Sequence, residues 1–388
     1  MKINMVDPSL FTGRYDDYLC AALARRDHDV RLIGRPMRAT DAIAPLGYGY
    51  VPRFFRLGEG TRNLLGEGLL GRVTKAVEYG MTSIAGPLDT LAGDVAHFQW
   101  LPFAAADSRL LARLAGRTAL VHTVHNAQAY HGAAAMQGRG YGGLLPRFDA
   151  LIVHGEATRA ALEGQGLDMG RVHVIPHPAM RLAEATPEDL AAVPPPPPGV
   201  PRVLFFGTIR PYKGLDLLID AAIELWKDGH DFELAIAGKP FMAVDALFGR
   251  VRGAGFAHRL ITDLGFLTEE RLDAHLSRAD IIAFPYRSID SSGAFLSALS
   301  YGAAMVTSDA GMFGELGEGD AARFAAGDAA GLVDALCPLI DDKAQRFRLG
   351  EAASALHTRI GGWDEAAAAT EAVYAAAIGH AENRKARA

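Results

Sequence analysis

Short runs of β-branched and aliphatic residues alternate with longer amphipathic stretches along most of the chain. In the first half, Lys2–Val6, Val30–Ile33, Val95–Phe98, Ala119–Val124, Ala150–Val153 and Val172–Ile175 read as strands bounded by turn-forming residues. The rhythm stops at Ala191–Pro201, where five consecutive prolines remove backbone donors and impose an extended path. It restarts at Arg202–Phe206 and continues through Phe232–Ile236, Leu260–Thr262, Ile281–Phe284 and Met305–Thr307. Strands separated by helix-length crossovers pair in parallel, so each half is expected to be a doubly wound α/β sheet that binds ligands at its strand C-termini. Beyond residue 328, GLVDALCPLIDD, AQRFRLGEAASALHTRI and WDEAAAATEAVYAAAIG predict successive helices, with AENRKARA as a frayed tail. The pattern therefore divides the chain into residues 1–190, a proline-rich linker at 191–201, residues 202–360 and a final helix at 361–380.

Length supports this division, because 388 residues exceed the size of about 250 to 300 at which single cores stop growing. Composition is that of a soluble globular protein, and a net charge of -6 gives no reason to expect a nucleic-acid partner. Cys20 and Cys337 are far apart and belong to no ligand-spaced cluster, which argues against a disulfide framework and structural zinc and makes the cytoplasm the expected compartment. Neither a signal peptide nor a membrane-spanning run is evident.

Chemistry concentrates in the second half. In VLFFGTIRPYKGLDLLID, Arg210 and Lys213 occupy a strand-to-helix loop, where two cations and helix-start amides can neutralise a phosphate or diphosphate; solvated surface charge is the competing reading. The loop is not a Walker A motif. Downstream, the strand ending at Pro285 leads to Asp290, Ser291, Ser292 and Gly293 and then a helix, which offers hydroxyls and amides to an anion or simply an N-cap from Ser291 or Ser292.

Taken together, GTIRPYKGLDLLIDA, LAIAGKP, ITDLGFLTEERL and ADIIAFPYRSIDSSGAFLSALSYGAAMV resemble the donor domain of glycosyltransferase family 4 in order and spacing. LVHTVHNAQAYH and DALIVHGEATRAAL in the first half are similar to that family's strand-end histidine and its later V-H-x-E segment. The resemblance implies the GT-B architecture: two facing Rossmann-like domains, the acceptor held mainly by the first, a nucleotide sugar mainly by the second, and a C-terminal helix crossing back. It further implies that Arg210 and Lys213 stabilise the departing diphosphate. Gly13 would lie where the chain approaches the donor, with Lys239 near the diphosphate or base. Gly265 and Phe266 would sit at the base, although Phe266 also reads as a core aromatic. His125 would stand beside the transferred sugar, while His154, His173 and His177 read as turn or surface residues. Transfer is expected to proceed with retention and without a metal or other cofactor, since fixed cations take the metal's role and no DxD motif stands at a strand end.

One departure affects recognition. The family's two glutamates, eight positions apart, fall here on Ile289 and Ser297. Asp290, Ser292 and the Gly293 and Ala294 amides are the expected substitutes. These absences keep two alternatives open, a nucleotide-sugar epimerase and an inactive nucleotide-sugar-binding scaffold of the same fold.

Arg14, Tyr15, Asp16, Gln99, Trp100 and Asn126 follow first-half strands and are the expected acceptor-side residues. The acceptor is expected to be a glycan, with a lipid-linked exopolysaccharide or lipopolysaccharide intermediate as the leading class. Arg53, Arg56, Arg62, Arg72 and Lys75, with Phe54 and Phe55 among them, give Val51–Lys75 a charge of about +3 and suit an anionic membrane surface. A helix pair with a solvated face and buried Leu and Phe is the alternative.

Overall fold

The computed structural model describes residues 1–38, 41, 43–65, 69–125 and 140–387, excluding the side chains of 61–70, 72 and 387. It contains two compact units: residues 1–176 together with 362–388, and residues 177–361.

The first unit is built on a seven-stranded parallel sheet of order β3-β2-β1-β4-β5-β6-β7. Its strands are β1 (Lys2–Val6), β2 (Asp29–Gly34), β3 (Gly49–Pro52), β4 (Val95–Phe98), β5 (Ala119–Val124), β6 (Ala150–Val153) and β7 (Val172–Val174). Period-two alternation sends Ile3, Met5, Ala119 and Val121 into one core and Val6, Leu120 and Val124 into the core on the other face. The final helix, Trp363–Arg387, completes the first of these cores with Ala367, Tyr374 and Ala377.

The second unit has a six-stranded sheet of order β10-β9-β8-β11-β12-β13, parallel throughout. Its strands are β8 (Arg202–Phe206), β9 (Glu233–Gly238), β10 (Leu260–Leu264), β11 (Ile281–Phe284), β12 (Ala304–Ser308) and β13 (Ala322–Phe324). Val203 and Phe205 face one core, Leu204 and Phe206 the other. In both units the strand C-termini carry the loops singled out in the sequence.

The sequence reading missed β3 and β13. Both are short edge strands without an apolar run, and β3 is bounded by Gly49 and Pro52. The proline-rich segment also differs from expectation. Residues 177–201 pack within the second unit, where Thr186 caps the helix Pro187–Ala192 and closes a capping box with Asp189. Ala183 and Ala185 donate backbone hydrogen bonds to Glu269 and Asp273, and Arg202 donates to the Pro194 carbonyl at 2.8 Å. The expected frayed tail is helical to Arg387, because Arg384 pairs with Asp149 at 2.7 Å and His380 contacts the Asp149 carbonyl.

Candidate active site

Among the described residues, each unit gathers candidate side chains near its strand ends. In the second, the loop after β8 runs through Gly207 and Arg210 to a 3-10 turn, Pro211–Lys213, and then the helix Leu215–Lys227. Gly214 joins turn to helix at φ 70°, and a Cβ there would lie 1.9 Å from the Pro285 carbonyl oxygen, so only glycine lets the loops after β8 and β11 meet. Gly238 is similar: at φ 139° a Cβ would lie 2.0 Å from the Gly207 carbonyl oxygen. Backbone hydrogen bonds from Ile209 to Lys239 and from Phe241 to Ile209, both 2.8 Å, close the loops after β8 and β9 together.

Lys213 is buried on this scaffold, with Nζ 5.1 Å from the Tyr286 ring centre. Burial pushes its pKa down to about 8. Arg210 lies 4.4 Å over the Phe241 ring, while Lys239 Nζ is 5.6 Å from Phe241 and 4.0 Å from Phe266. Thus Arg210, Lys239 and Phe266 form one exposed-edged group, joined by Phe241, which the sequence reading did not select. Phe266 is 76% exposed and is not a core residue. Its neighbour Gly265 donates to the Gly238 carbonyl at 3.1 Å, tying the loop after β10 to the same group.

The loop after β11 holds the remaining donor-side candidates. Ser292 is the N-cap of the short helix Gly293–Ala298 and accepts from the Phe295 amide at 3.2 Å, so the capping reading applies to Ser292. Its own amide donates to Met312 Sδ at 2.9 Å. Gly293 and Ala294 open the helix, with Asp290 and Ser291 just before it, and Ser297 is buried in its last turn. Ile289 is buried in the core, so that position turns no polar group toward a ligand.

In the first unit, Tyr15, Trp100, His125 and His154 gather at the ends of β1, β4, β5 and β6. Trp100 stacks on His125 at 5.5 Å and 11°, Tyr15 meets His125 edge-on at 5.2 Å, and His154 lies 5.2 Å from His125. Trp100 also donates to Thr12 Oγ1 at 3.0 Å, tying it to the loop before Gly13. Gly13 starts the helix Gly13–Ala24, where a Cβ would press on Ile43 at 2.7 Å. Arg14 reaches Tyr18 at 3.4 Å.

Two expected acceptor-side residues are buried. Asp16 is fully buried, and burial, with the Asp7 charge adding to it, raises its pKa well above the ordinary aspartate value. Gln99 is 1% exposed and bonded to His125 at 2.8 Å. Asp16 is on the inward face of the helix Gly13–Ala24, and Gln99 directly follows β4. Asn126 lies outside the described residues. His154 belongs to the cluster and is not a simple turn residue; its place after β6, matching that of His125 after β5, is the signal that could have found it. His122 faces the other way, toward Phe148 and Tyr141.

Among the described residues, no helix is long and apolar enough to cross a membrane. Phe54 and Phe55 are buried against Tyr79, which removes them from any membrane-facing surface. Lys75 and Arg38 are both drawn to buried Glu59, at 2.7 and 2.6 Å. Arg62 and Arg72 have no described side chain.

Residues 12–179 match the family model described as Glycosyltransferase Family 4, and residues 200–342 match that described as Glycosyl transferases group 1. The chain is 29% identical over 283 residues to a D-inositol 3-phosphate glycosyltransferase of Nocardia farcinica, covering 68% of this chain and 62% of that protein. A lipopolysaccharide core biosynthesis mannosyltransferase of Rhizobium meliloti is 32% identical over 147 residues, which are 36% of this chain and 41% of the relative. The chain thus spans less than two thirds of the length of these relatives. A crystal structure of an Anabaena protein in complex with UDP-glucose superposes with a TM-score of 0.67 at 16% identity, covering 96% of this chain and 99% of that one.

Proposed function

Since the chain belongs to glycosyltransferase family 4, we propose that it moves a sugar from a nucleotide-diphosphate sugar to a glycan acceptor with retention of anomeric configuration. The observation that carries this reading is the loop after β8, where Lys213 is held in a water-poor place beside Arg210 on a backbone that only glycine permits at Gly214. A buried cation is costly unless an anion arrives, and a diphosphate leaving group is such an anion. Lys239, Gly265 and Phe266 extend the site toward the base, with Asp290, Ser291, Ser292, Gly293, Ala294 and Ser297 on the sugar side. His125, stacked on Trp100, serves the transferred sugar. No metal is required in this scheme, because fixed cations meet the charge that develops on the diphosphate. The solved Anabaena complex with UDP-glucose supports a nucleotide sugar as donor, and the Rhizobium lipopolysaccharide relative supports a glycan acceptor.

A lipid-linked acceptor fits one exposed surface of the first unit. Val73, Val77 and Met81 on the helix Leu69–Ala85 and Leu57 on Arg56–Leu65 are exposed and line a groove with Arg53, Arg56 and Glu78, and Ile84 is exposed farther along the first of these helices. Apolar side chains with cations at their edge suit an anionic bilayer.

The test is incubation with UDP-, GDP- and ADP-sugars in EDTA, read by melting temperature and by proton NMR of the released or transferred sugar. One nucleotide family should stabilise the protein, and the first product should keep the donor's anomeric form. An inverted product refutes retention, a requirement for metal refutes the cation scheme, and donor binding without turnover establishes the scaffold instead.

A further inference from the structure

A line of buried polar side chains joins the last helix to His125. The Tyr374 hydroxyl lies 2.8 Å from His97 Nδ1, and His97 Nε2 lies 2.7 Å from Thr123 Oγ1 and 3.5 Å from Gln99 Nε2. Gln99 Oε1 is 2.8 Å from His125 Nε2. Tyr374, His97 and Thr123 are fully buried, and Gln99 nearly so. The orientation of the Gln99 amide follows from chemistry. Its nitrogen is 2.8 Å from Met5 Sδ, a thioether with no hydrogen to donate, so the NH2 end must face the sulfur. The carbonyl oxygen is thereby turned to His125, where it can only accept, and His125 Nε2 must carry the proton. His97 remains neutral, its pKa pushed down to about 3 by burial, with His122 and His154 adding to the effect.

We propose that Gln99 is a positioning residue that holds His125 in its Nε2-protonated tautomer and in the plane stacked on Trp100, and that Met5, His97 and Tyr374 hold Gln99 in turn. A buried acceptor on one imidazole nitrogen sets the state of the other. The link to turnover rests on the glycosyl-transfer reading, whereas the tautomer does not. Tyr374 makes the final helix part of this support, although it lies more than 240 residues from His125 in the chain.

The test uses the full-length protein labelled with ¹⁵N-histidine, with the His125 signals assigned by His125→Ala. Long-range ¹H–¹⁵N correlations should show the Nε2-protonated form in the native protein and its loss or mixture in Gln99→Leu. Gln99→Glu should keep that tautomer, because a carboxylate also accepts, while raising the imidazole pKa. With a nucleotide sugar that the native protein turns over, Gln99→Leu should lower kcat about tenfold with the donor KM little changed. Gln99→Glu should recover much of that loss, with its pH profile displaced upward. An Nδ1-protonated His125 in the native protein, or an unchanged tautomer in Gln99→Leu, overturns the proposal. Should Gln99→Leu not fold, the native tautomer and the Gln99→Glu and Tyr374→Phe spectra decide. Unchanged kcat despite the tautomer change overturns the catalytic link alone. Failure of the glycosyl-transfer reading would appear separately, as absence of turnover in the native protein.

Discussion

Lys213 carries its charge into a place that water barely reaches, and its protonation is therefore coupled to folding and, under the proposed function, to diphosphate binding. Burial lowers its pKa from 10.5 to about 8. Below about pH 8 the ammonium is charged in both folded and unfolded chains, and its burial costs on the order of 3 kcal/mol. Between pH 8 and 10.5 the folded protein has released a proton that the unfolded chain still holds, so this term makes stability rise with pH across that window. A bound diphosphate reverses the situation by favouring the charged form. Affinity for a nucleoside diphosphate should therefore fall as pH rises through about 8, with proton uptake on binding. Lys213→Met should raise the melting temperature at neutral pH, weaken diphosphate binding about tenfold or more, and remove most of that pH dependence. Calorimetry in buffers of different ionisation enthalpy checks this, and an unaltered pH dependence in the variant would sink the assignment. At this scale the sequence was informative for the cations, because Arg210 and Lys213 sit three apart in one loop. It was poor for polar residues whose role depends on burial: nothing local distinguishes Gln99, buried beneath His125, from a surface glutamine.

Among the elements, the loop after β8 owes its shape to Arg287. The Arg287 guanidinium binds Asp216 through two nitrogens at 2.8 and 2.7 Å and the Pro211 carbonyl at 3.0 Å, while its backbone amide donates to Tyr212 at 2.7 Å. The turn Pro211–Lys213 is thus fastened on both sides by the residue that follows β11 and Tyr286. The Arg287–Asp216 pair is more than a third exposed, so solvent screening limits its contribution to stability to about 1 kcal/mol or less. Its larger effect is geometric. Arg287→Ala should leave the melting temperature nearly unchanged and weaken nucleoside diphosphate affinity severalfold, read by calorimetry. Arg287→Lys should recover little, because an ammonium cannot reproduce the bidentate fork. Equal binding by both variants and the native protein would remove Arg287 from the site. Most strands were legible because alternation of buried side chains is imposed residue by residue. The clasp was not, since Asp216 and Arg287 lie on elements 71 positions apart.

At the scale of the whole molecule, the chain returns to its beginning: the helix Trp363–Arg387 packs in the core of the first unit, and Arg25 and Arg26 bind Asp364 and Glu371 at its surface. The same unit displays the apolar surface of Leu57, Val73, Val77, Met81 and Ile84. If that surface meets a bilayer, the protein should float with liposomes containing phosphatidylglycerol and much less with neutral ones, and high salt should weaken the binding. Val77→Asp with Met81→Asp should abolish flotation without unfolding, both side chains being exposed. Equal recovery of variant and native protein with anionic liposomes would reject the surface. The sequence by itself determined the two parallel sheets, most of their strand ends, and the paired cations of the second half. Those features follow from short-range periodicity and local spacing, which any chain of this pattern must obey. Tertiary structure alone decided that residues 177–201 belong with the second unit, that Phe54 and Phe55 are core residues, and that Asp16 and Gln99 are buried. These outcomes depend on which distant residues fill the space around a side chain, as Tyr374 does for His97, and burial of that kind has no signature in neighbouring residues.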